Sequence, residues 1–257
     1  MITASLPHSV VTSSLQDISS VEIPMKEENL PFTIRVVSDT EDLRKAVGIR
    51  HAAYLRHVPT FAQNLVAPEN ADPEDGTVVL LAESKFDGSP LGTMRIQTNE
   101  HHPLALEKSL ALPPQLATSR LAEATRLGVT QERVGRMVTT AIFKAFFLYC
   151  RQNRIDHMVI TARSPVDRHY DRLLFKDVYP EMGYIPFQHV GNMPHRVMTL
   201  AVAEVEPLWK ELNHSLYNFF FNTFHEDIDV VGTSIYKPNS ALKLPVVEAT
   251  ASQAISA

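Results

Sequence analysis

The chain has 257 residues, 44% of them hydrophobic and 21% charged, enough to bury a core without disulfides or metals. A net charge of −5 speaks against a general nucleic-acid binder, and a single cysteine, Cys150, excludes an internal disulfide framework. The first 30 residues carry no basic stretch followed by an apolar one. No apolar run approaches the roughly 18 residues that span a bilayer, so a soluble, cytoplasmic protein is expected. The charge is uneven, because residues 120 to 176 hold 11 Lys and Arg against 5 Asp and Glu. Either this is ordinary variation among solvated faces, or it is a docking face for an acidic partner or a phosphate-bearing ligand.

Residues 1–30 are rich in Ser and Thr and lack periodicity, which predicts a loose tail. Phe32 to Val37 reads as a strand, and Ser38 with Glu41 forms a capping box for a helix that carries Leu43, Ala46, Val47, Arg50 and Tyr54 on one face. A guanidinium on the buried side needs a partner. The acidic loop with Glu69, Asp72, Glu74 and Asp75 offers one, unless Arg50 snorkels to water. Val78 to Ser84 and Leu91 to Thr98 are two strands joined by a Phe-Asp-Gly-Ser-Pro turn. Arg95, in the second, is expected to face the same cleft as Glu123 or else a solvated strand face. His101 and His102 are adjacent in a polar loop and lack the spacing of metal ligands, so no metal is expected.

Leu121 to Val129 reads as the central strand, followed at once by a helix with Thr130 as N-cap. Val134, Met137, Val138, Ala141, Ile142, Ala145, Phe146 and Tyr149 form its apolar stripe. Arg133, Arg136, Thr140 and Lys144 fall away from that stripe, and free N–H groups beside two guanidinium groups favour a bound phosphate. Cys150, near the helix end, is read as inert packing. Then come a strand at 156–162, a helix at 166–178, extended segments at 184–190 and 196–203, and a final helix at 207–224 rich in phenylalanine. The sequence from Gly232 is small and polar. The expected organisation is a tail (1–30), one domain (31–229) and a second tail (230–257), with neither a dinucleotide fingerprint nor a P-loop.

The order of elements resembles the GNAT acyltransferase fold, a mixed, largely antiparallel sheet flanked by helices (α/β, α+β). The central strand and its helix resemble that fold's donor-binding unit, with Glu132 and Met137 standing where its signature around Gly135 has other residues. Tyr170-Asp-Arg-Leu-Leu-Phe175 resembles the GNAT Tyr, three residues, Gly-Phe pattern, with Leu174 for Gly. Arg50 before Tyr54, the acidic loop, Gly92-Thr-Met-Arg95 and Glu123-Ala-Thr-Arg126-Leu-Gly-Val resemble the pattern shared by autoinducer synthases and long-chain N-acyl amino acid synthases. The His-Tyr-Asp-Arg-Leu-Leu-Phe, Gly-Tyr-Ile-Pro and His-Arg-Val-Met stretches are more similar to the N-acyl amino acid synthases. The autoinducer alternative is weakened because the one tryptophan, Trp209, lies near the far end.

This resemblance, over residues 32 to 225, implies a fatty acyl thioester on acyl carrier protein, or on coenzyme A, as donor, an amino acid as acceptor and no permanent cofactor. An amine attacking a thioester needs a base, oxyanion donors and a proton for the sulfur. Glu123, among apolar neighbours on its strand face, is the expected base, acting directly or through water; the alternative is a carboxylate that neutralises Arg50 or Arg95. Arg126 points the other way if the strand is regular, as scaffold or carrier contact. Backbone N–H groups of Leu127, Gly128 and Val129 would hold the oxyanion, released by a bulge or splay, and Tyr170 would protonate the thiolate or simply pack. Arg133, Arg136 and Lys144 would hold the phosphopantetheine phosphate and the acidic carrier. An autoinducer synthase, an exosortase-associated acyltransferase and a non-catalytic acyl-binding module remain alternatives.

Overall fold

The computed structural model describes residues 25–231; most of both expected tails lies outside the described residues. In chain order the strands are β1 (Lys26–Glu27), β2 (Phe32–Val36), β3 (Thr77–Ser84), β4 (Pro90–Thr98), β5 (Leu121–Val129), β6 (His157–Ala162), β7 (Lys176–Asp177), β8 (Ile185–Phe187), β9 (Met193–Ala201), β10 (Thr223–Phe224) and β11 (Ile228–Asp229). The helices are α1 (Thr40–Leu55), α2 (Pro59–Ala62), α3 (Pro114–Ala117), α4 (Gly135–Gln152), α5 (Asp167–Arg172) and α6 (Val202–Glu211).

The main sheet runs β11-β2-β3-β4-β5-β6-β9-β7, with β8 on β9. It is antiparallel except where β5 meets β6 and β11 meets β2. Side-chain alternation gives it two buried faces. Ile34, Leu80, Met94, Ile96, Ala122, Ile160 and Met198 pack with Ala141, Ile142 and Phe146 of α4 and with Trp209 of α6. On the other face Val79 and Leu81 meet Leu43, Ala46 and Val47 of α1. Further along that face Leu121, Val159 and Val197 are covered by Leu104, Leu106, Phe187 and Val190.

Several boundaries differ from the sequence expectation. Asp39, not Ser38, caps α1, its carboxylate accepting from the Asp42 N–H at 2.8 Å. Residues 25–30 are not all tail, since β1 pairs with β10 and the Leu30 N–H donates to Asp227 at 2.7 Å. The helix expected at 166–178 stops at Arg172, because Leu174 is left-handed (φ 66°) and β7 follows. The final helix is two elements, α6 and a π-helical turn at Asn218–Asn222, separated where Asn213 turns left-handed (φ 49°).

Candidate active site

β5 and β6 are hydrogen-bonded only from Leu121↔His157 to Ala124↔Ile160. Beyond Ala124 they separate, and a cavity of about 250 Å³ opens in the split. Ala124, Leu127, Gly128, Val129 and Tyr170 line it, as do Thr161, His189 and His195. Tyr170 stands on the α4 side, edge-on to Phe143 at 5.4 Å. Thr161 and His195 lie on the α1 face, on the alternation that contains Val159 and Val197.

The split is matched by a bulge on the other edge of β5. Thr93 pairs with Gly128 and Arg95 with Thr125, so β5 has one residue more than β4 across this interval. Arg126, with φ 56°, is the residue that absorbs it. The Thr130 N–H donates to Leu91 O at 2.9 Å, which fixes the parity of the ladder. Gly128 therefore bonds toward β4, while the N–H groups of Leu127 and Val129 face the split. The same turn puts the Val129 carbonyl within 2.5 Å of Arg56 Nη2. Gly128 lets α1 approach closely, since a Cβ there would lie 3.1 Å from the Arg50 Cα and 3.3 Å from the Ile49 carbonyl.

Because β5 is bulged, Arg126 does not point away from the Glu123 face, as a regular strand would require. It is 4% exposed, so it is no carrier contact, and it forms two hydrogen bonds to Glu69, at 2.6 and 2.7 Å. Arg50 is fully buried and grips Asp72 through two bonds of 3.0 Å, with Glu69 at 3.2 Å. Arg95 donates to Thr125 at 3.1 Å and to Glu69 at 3.2 Å. Three buried guanidinium groups thus share two carboxylates of the 66–76 loop. Burial pushes the Glu69 carboxyl up, but Arg126, Arg95 and Arg50 more than cancel this and leave it at about 2.

Glu123 does not neutralise Arg50 or Arg95, the alternative weighed for it. It is fully buried without an arginine ion pair, and it is not part of the cavity wall. Its Oε2 accepts from the Leu106 N–H at 3.3 Å, and Oε1 has no hydrogen-bond partner. Burial pushes its carboxyl up to about 7 against the pull of the Leu106 N–H and of Arg95. Between Glu123 and the cavity stands His189, whose Nε2 is 3.8 Å from Glu123 Oε1 and 3.3 Å from Thr161 Oγ1. Direct contact of Glu123 with an acceptor is therefore blocked. Burial, then Arg126, His195 and Arg95, push the His189 ring down to about 3, so it is neutral. Nothing in the sequence marked His189, and alternation from Val159 was the only signal for Thr161.

α4 begins at Gly135, not after Thr130. Residues 130–134 form a turn, closed by Gly135 N–H to Glu132 O at 2.9 Å, that passes so close to the helix start that a Cβ on Gly135 would meet Thr130 O at 2.4 Å. Arg133 and Arg136 are exposed at this start and have no ion-pair partner among the described residues. Met137, expected on the apolar stripe, is 48% exposed beside them. Lys144 is no phosphate ligand. It is buried at the middle of the helix, where its Nζ donates to the Phe219 and Thr223 carbonyls at 2.6 and 2.5 Å and lies 2.9 Å from His225 Nδ1. Burial pushes its ammonium down to about 8. Cys150 is buried, and among the described residues no cluster of His, Cys, Asp or Glu could hold a metal. None of the helices described is long and apolar enough to cross a membrane.

A sheet split beside a bulged strand, with a helix start at its mouth, is the layout of the GNAT fold. A family model described as N-acyl amino acid synthase FeeM matches residues 45–201, and the chain belongs to that family. Among solved structures, FeeM, an N-acyl amino acid synthase from uncultured soil microbes, superposes with a TM-score of 0.53 at 18% identity, covering 70% of this chain and 96% of that one. BjaI, a CoA-dependent acyl-homoserine lactone synthase solved with SAM and isopentyl-CoA, gives 0.50 at 16% identity, covering 76% and 93%. Comparison with curated proteins gives no match.

Proposed function

We propose that the enzyme moves a long-chain fatty acyl group from the phosphopantetheine thioester of acyl carrier protein to the α-amine of an amino acid, giving an N-acyl amino acid. The observation that carries this reading is the cavity through the sheet, faced by two backbone N–H groups that no longer bond to β6. A thioester carbonyl in the split directs its oxygen at the Leu127 and Val129 N–H groups, which stabilise the oxyanion as the amine adds. The α4 start and Arg133 and Arg136 hold the phosphate, and the basic 120–176 segment meets the acidic carrier. The thiolate departs on the side of Tyr170, whose burial raises its phenol, so that the hydroxyl carries its proton at neutral pH. Glu123 acts at one remove, since with Thr161 it sets the orientation of the His189 ring on the cavity wall.

Expression in a bacterium followed by mass analysis of extracted lipids tests the reading against cells with an empty vector. N-acyl amino acids found only with the enzyme are the expected result. Acyl lactones instead, or binding of acyl carrier protein without any acylated product, would overturn it.

A further inference from the structure

The His-Arg-Val-Met stretch at the start of β9 contains a histidine and an arginine that do different things. Arg196 is spent on Asp167, Asp171 and Asp177, which it binds at 3.1, 3.0 and 2.7 Å. His195 is 6% exposed and lines the cavity on the α1 face of the sheet. Its Nδ1 lies 2.8 Å from the Met193 carbonyl, an acceptor that only a protonated nitrogen can satisfy. The neutral ring is thereby fixed as the Nδ1–H tautomer, and the lone pair is on Nε2.

In the acyl-transfer reading above, donor and acceptor approach from different faces. The α4 start and Tyr170 are on one side of the split, so a thioester held there shows its carbonyl carbon to the other side, where His195, His189 and Thr161 stand. An acceptor arriving at neutral pH is an ammonium ion and cannot attack until it loses a proton. Of the two histidines, His189 is poorly placed to take it. Its Nε2 faces Thr161 and Glu123, and its Nδ1 is sealed without a partner.

Resting on the acyl-transfer reading above, we propose that Nε2 of His195 takes the proton from the acceptor's ammonium group. The freed amine attacks the thioester carbonyl, the C–N bond forms and the C–S bond breaks. The departing thiolate takes the Tyr170 hydroxyl proton, Tyr170 recovers the second proton of the attacking nitrogen, and His195 sheds the first to solvent after the amide leaves. The groups facing His195 are Arg163 beyond β6, Arg126 on β5 and His189 on the turn between β8 and β9, with Tyr54 and His57 across the cavity. Burial lowers its ring, the bond to Met193 O opposes this, and Arg163 and Arg126 add to the lowering, so the ring rests uncharged.

The test compares the wild type with His195→Gln, each acting on a dodecanoyl thioester with either a mixture of the twenty amino acids or hydroxylamine, a nucleophile already unprotonated at neutral pH. The variant should lose about 10²-fold in kcat/KM with amino acids at neutral pH, keep its hydroxylamine rate, and regain amino acid activity about tenfold per pH unit as the amine ionises. The wild type should stay level over that range. An undiminished variant with amino acids, or an equal loss with both nucleophiles, overturns the assignment while the acyl-transfer reading stands. A wild type that acylates hydroxylamine but no amino acid overturns both.

Discussion

Arg126 and Glu69 meet through two charge-assisted hydrogen bonds that tie the bulge of β5 to the acidic loop after α2. Glu69 also reaches Arg50 and Arg95, so Glu69→Gln leaves Arg50 and Arg95 with Asp72 as their one carboxylate and Arg126 with only the His189 carbonyl. The expected cost is about 3 kcal/mol in urea unfolding. The folded carboxyl ionises at about 2 against an ordinary 4.5. Its stabilisation is therefore full above about 4.5 and is lost as pH falls toward 2. Glu69→Gln should lack that acid limb, and an unchanged unfolding midpoint would contradict the account.

Gly128→Ala and Gly48→Ala separate close approach from conformational entropy. At Gly128 the new methyl meets backbone atoms of α1, which has to shift from the split, at about 1–3 kcal/mol with reduced acyl transfer. At Gly48, exposed within α1, nothing lies within 4 Å, and alanine should stabilise by about 0.5–1 kcal/mol. Equal effects at the two sites in thermal unfolding would be the wrong result.

Lys144→Met tests the assignment of this lysine to the C-terminal segment. Its ammonium ionises at about 8 in the fold against an ordinary 10.5, so the folded state disfavours the charge. That penalty is complete below pH 8 and is relieved as pH rises toward 10.5, where wild-type stability should increase. The variant should lose this rise and retain the wild-type KM for the donor. A raised KM would return Lys144 to the donor site.

Charge reversal of both Arg133 and Arg136 should raise KM for acyl carrier protein about tenfold, leave kcat nearly unchanged and flatten the salt dependence of kcat/KM. Donor kinetics over a range of sodium chloride concentrations measure this. An unaltered KM would remove the two arginines from the donor site.

The central strand was readable residue for residue, because nothing breaks the run over Leu121–Val129 and a helix signal follows at once. Arg50 was readable too, since a guanidinium on an apolar stripe demands carboxylates and an acidic loop followed. What escaped was set by backbone geometry that periodicity does not record. One extra residue in β5 turned Arg126 into the core, and a contact possible only for glycine at Gly135 delayed α4 by a turn. Lys144 looked like a surface lysine because its partners are carbonyl oxygens 75 and 79 residues away. Glu123 was legible as a buried carboxylate, but the histidine between it and the cavity comes from a turn with no pattern of its own.

Purified enzyme incubated with acyl carrier protein loaded with a dodecanoyl group and the twenty amino acids tests most directly whether a thioester in the split is attacked by an amine. The account predicts one free carrier thiol for each N-dodecanoyl amino acid found by mass. Thiol release with free fatty acid and no amide, or no release from either carrier protein or coenzyme A, would contradict it.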